Sequence, residues 1–88
     1  MGPKFEHGGV RLRFDSLRPY SFESRAQWPD DNYDAEVRAA VEHVLLERCG
    51  ALDRCQVVLE DIIWDVVDSS AIGFEKAARA ATEMAFMV

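Results

Sequence analysis

The sequence predicts a mainly α protein: an N-terminal strand and extended arm, followed by a small three-helix bundle. An α+β arrangement, strand-helix-strand-helix, is the alternative. Two observations carry the first reading. From Asp34 to the end of the chain, three successive stretches repeat apolar residues at helical spacing. Residues 1–33 show no such period, yet they hold all three prolines, six of the nine aromatics and half of the ten basic residues. The chain therefore divides into an aromatic, basic extended arm with a short strand (1–33) and an acidic helical domain (34–88). At 88 residues it is one domain, of a size that buries about 60–65% of its unfolded surface. So thin a margin makes a staple or a partner an expected addition.

Val10, Leu12 and Phe14 alternate with Arg11 and Arg13, the period of a strand with one apolar face. Turn chemistry flanks that run: Gly8 and Gly9 before it, Asp15 and Ser16 after it. Pro19 and Pro29 push Arg18 and Trp28 toward extended backbone, so residues 17–28 read as an arm laid over a surface. Asp34 then opens the first helix, where a carboxylate meets free amides and the positive end of the dipole. Val37, Ala40, Val41, Val44 and Leu45 form its apolar stripe, and Gly50 is placed for a left-handed cap.

Residues 52–68 pose the hardest choice. Leu52, Cys55, Val58, Leu59, Ile62, Ile63, Val66 and Val67 share one half of a helical wheel, and the acidic residues share the other. Composition favours a strand over 56–67, since Val, Ile and Trp suit a pleated sheet. Period-2 alternation is poor there, so periodicity selects helix. That choice places Trp64 at the centre of an acidic helical face. From Phe74 onward Ala77, Ala80, Ala81, Met84, Ala85 and Val88 line the third helix, with Thr82 among its polar residues.

Composition excludes several function classes. The net charge is −6, and the basic residues concentrate in the arm, so the body is a poor match for phosphates while the arm could touch them. Cys49 and Cys55 lack the paired spacing of a zinc site and are too few for a secreted disulfide framework. No metal and no cofactor are expected. The first residues lack the apolar core of a signal peptide, and no apolar run approaches a membrane span, so a soluble intracellular protein is expected. His7 and His43 have no nucleophile at a recognisable spacing, and no carboxylate pair stands apart from the acidic faces. An enzyme is not expected.

The expected function is a non-enzymatic protein–protein interaction module, a small accessory subunit or adaptor of a larger multiprotein assembly. Aromatic residues dominate such interfaces, which selects Phe14, Tyr20, Phe22, Trp28, Trp64 and Phe86 as partner-binding residues. The carboxylates of the body also fit a second class, a small acidic inhibitor that mimics nucleic acid.

The run Val66-Val67-Asp68-Ser69-Ser70-Ala71-Ile72-Gly73 resembles the Asp-Ser-Ser-Gly turn of STAS domains, anti-sigma-factor antagonists switched by serine phosphorylation. The resemblance implies Ser69 or Ser70 as the phosphorylation candidate, at a helix N-terminus where a dianion is favoured. Ala71 stands where that family has glycine. The same run also resembles the first strand of PIN-type ribonucleases, which would make Asp68 a metal ligand.

Overall fold

A computed structural model gives the chain as an α+β protein, and the described residues are 4–7, 9–29, 31–64 and 70–86. Strand β1 (Lys4–His7) and strand β2 (Val10–Pro19) are followed by β3 (Ser21–Ser24), helix α1 (Asp34–Cys49), strand β4 (Arg54–Ile62) and helix α2 (Ala71–Ala85). The sheet has the order β1-β2-β4-β3. β1 and β4 pair antiparallel with β2, whereas β3 lies parallel to β4. A parallel neighbour requires a crossover, which α1 supplies.

The mainly α bundle is therefore corrected. Residues 54–62 are a strand paired on both sides, the conformation that the alternative reading assigned to 56–67. The misleading period has two causes. A strand flanked on both sides can be apolar on both faces, which removes alternation. Cys55, Val57 and Leu59 point into the core, while outward-facing Val58 is also only 2% exposed. Its ladder partners are Arg13 and Glu23, whose long stems can cover a central position. In addition, Arg11 pairs with Asp61 and Leu12 with Leu59, so Glu60 is an extra residue that shifts the phase.

The arm is corrected too. It is no strap over a finished body, because β1, β2 and β3 make three of the four strands. Val10, Leu12 and Phe14 do share one face, and that face lies in the core. Helix α1 buries the five residues of its stripe, and Gly50 caps it at φ +79° with its N–H on the Leu46 carbonyl. Tyr33, rather than Asp34, holds the N-cap position.

Helix α2 begins at Ala71, earlier than expected, and its buried residues are Phe74, Ala77, Ala78, Ala81 and Thr82. The stripe is rotated so that Thr82 is inside and Met84 outside. Thr82 is accommodated because its hydroxyl donates to the Ala78 carbonyl at 2.7 Å. Val88, Val66 and Val67 lie outside the described residues.

Both helices contribute to one core cluster with the inward faces of β2 and β4. Gly9 closes the β1–β2 turn at φ +107°, and a Cβ there would stand 3.1 Å from the Ile63 carbonyl. Only glycine fits that approach.

Candidate interaction surface

Four aromatic rings from three segments meet at one end of the fold. Trp28 and Tyr33 come from the β3–α1 connection, Trp64 from the exit of β4 and Phe74 from the first turn of α2. Trp28 stands nearly perpendicular to Tyr33, Trp64 and Phe74, with centroids 5.6, 6.3 and 5.0 Å apart. Trp64 stacks on Tyr33 at 6.0 Å and on Phe74 at 5.8 Å. All these separations fall in the attractive range for aromatic pairs. The Trp28 indole N–H donates to Asp34 Oδ1 at 2.7 Å, and the Ser24 hydroxyl donates to the same oxygen at 2.7 Å. One carboxylate thus ties the loop, the end of β3 and the start of α1 together.

The residues chosen as partner anchors are distributed unevenly. Phe14 is a core residue. Tyr20 and Phe22 pack against the core as partly buried neighbours. The Tyr20 hydroxyl donates to Glu42, whose Oε2 also accepts from Arg38 Nε at 3.0 Å. The Arg38 guanidinium lies 6.0 Å from the Phe22 ring centre. Burial, reinforced by Glu42, pushes the Tyr20 hydroxyl up to about 12. Trp28 and Trp64 are brought together in the aromatic cluster, so Trp64 is half-buried and not the centre of an exposed acidic face. Phe86 is 40% exposed. Ser70 is the exposed N-cap of α2, its Oγ accepting from Gly73 N at 3.0 Å, and Ser69 and Asp68 lie outside the described residues.

Two exposed apolar side chains near the helix ends were not singled out as partner residues by the sequence reading: Leu46 on α1 and Met84 at the end of α2. An ion pair between Arg48 and Glu83 sets those two helix ends side by side. At a separate point on β2, Leu17 is exposed as well. Its only sequence signal was an apolar residue set among the polar and proline residues of a turn.

Three arginines of the N-terminal third sit on carboxylates: Arg13 on Glu60 at 3.2 Å, Arg18 on Asp15 at 3.4 Å and Arg25 on Glu23 at 3.1 Å. Cys49 is exposed and Cys55 buried, both as free thiols. Burial pushes the Cys55 thiol up. Among the described residues, no three His, Cys, Asp or Glu side chains gather as a metal site would require, and no helix is long and apolar enough to cross a membrane.

The architecture defines a class, a two-layer α+β domain whose four-stranded sheet carries both helices on one face. Within that class the chain is similar in fold to the RNase P protein of Staphylococcus aureus. The TM-score is 0.60 at 6% identity, over 96% of this chain and 81% of that one. No family model and no curated protein matches the sequence.

Proposed function

We propose that this chain is a non-enzymatic protein–protein interaction module, a small accessory subunit or adaptor of a larger multiprotein assembly. The observation behind this reading is the set of large apolar side chains left exposed near the ends of the two helices that Arg48 and Glu83 join: Leu46 on α1, and Met84 and Phe86 at the end of α2. Exposed aromatic and large apolar side chains are the residues that interfaces with other proteins bury.

Protein rather than nucleic acid is the favoured partner on electrostatic grounds. The chain carries −6 overall, and three arginines of its basic segment are already engaged by its own carboxylates. Phosphate binding draws its strength from clustered cations free to release counterions.

The test is to isolate the tagged full chain from its source under mild conditions and to measure its mass by light scattering. The expected result is a complex with other proteins, weakened by Met84→Asp with Phe86→Asp while circular dichroism stays unchanged. A chain recovered only as a free monomer, or a complex indifferent to both substitutions, would overturn the proposal.

A further inference from the structure

We draw no further inference here: the strongest candidate, the apolar surface formed by the exposed side chains of Ile63 at the exit of β4 and Ile72 in the first turn of α2, is unpartnered, and nothing in the structure shows what covers it.

Discussion

Asp34 shows how much one side chain can hold. Its Oδ1 accepts from the Ser24 hydroxyl and from the Trp28 indole, and its negative charge lies in the first turn of α1. Asp34→Ala should cost about 2–3 kcal/mol, because two donors lose a charged acceptor and the dipole loses its complement. Urea unfolding should record this as a lower midpoint with an unchanged slope. Tyr20 gives a pH signature. Its folded pKa, about 12, lies above the ordinary 10.0, so its contribution is complete below pH 10 and is lost as pH rises through 12. Glu42 behaves in the opposite sense. The Tyr20 hydroxyl, as the largest effect, lowers it below 4.5, so its contribution is complete above that value and fades in acid. Thermal melts followed into alkali should show a loss of stability that Tyr20→Phe abolishes. None of these contacts was legible in the sequence, since Tyr20 and Glu42 are 22 positions apart and only the packing of α1 beside β3 joins them.

At the scale of elements, the aromatic cluster couples the β3–α1 connection, the exit of β4 and the start of α2. Trp28 and Phe74 lie 5.0 Å apart edge to face, and Phe74 is buried. A double-mutant cycle between Trp28→Ala and Phe74→Leu should give a coupling of about 1 kcal/mol, the ordinary worth of such a pair beyond area. A coupling near zero would mean that the rings are neighbours without energetic contact. Helix α1 was legible residue by residue, because its stripe, its length and Gly50 all agree. Strand β4 was not. Val58 fills the outward face beneath Arg13 and Glu23, and Glu60 shifts the register, so the strand mimics a helical wheel. Helix α2 was read one step out of phase, because Thr82 looks polar until its hydroxyl is seen bonded to its own helix.

For the whole molecule, the two helices of 16 and 15 residues leave room for a sheet that a three-helix bundle would lack. Far-ultraviolet circular dichroism should therefore give a mixed spectrum with about a third helix, as in an ordinary globular α+β chain. A spectrum dominated by helix would contradict the architecture. Many native contacts also join distant parts of the chain, since β2 must meet β4 across α1. Folding should accordingly be slower than the microseconds of helical bundles, in the range of milliseconds or longer, as stopped-flow refolding would measure.

The sequence by itself determined the first helix with its cap, the apolar face of β2 and the uneven placement of charge. These depend on periods and single-residue chemistry that act within one or two turns of chain. Only the tertiary structure decided that residues 54–62 are a strand, that the N-terminal third is most of the sheet, and that Trp28 and Trp64 pack on each other. The physical reason is common to all three. Strand pairing and aromatic packing are satisfied by partners far away in sequence, and a residue's neighbours along the chain carry no record of them.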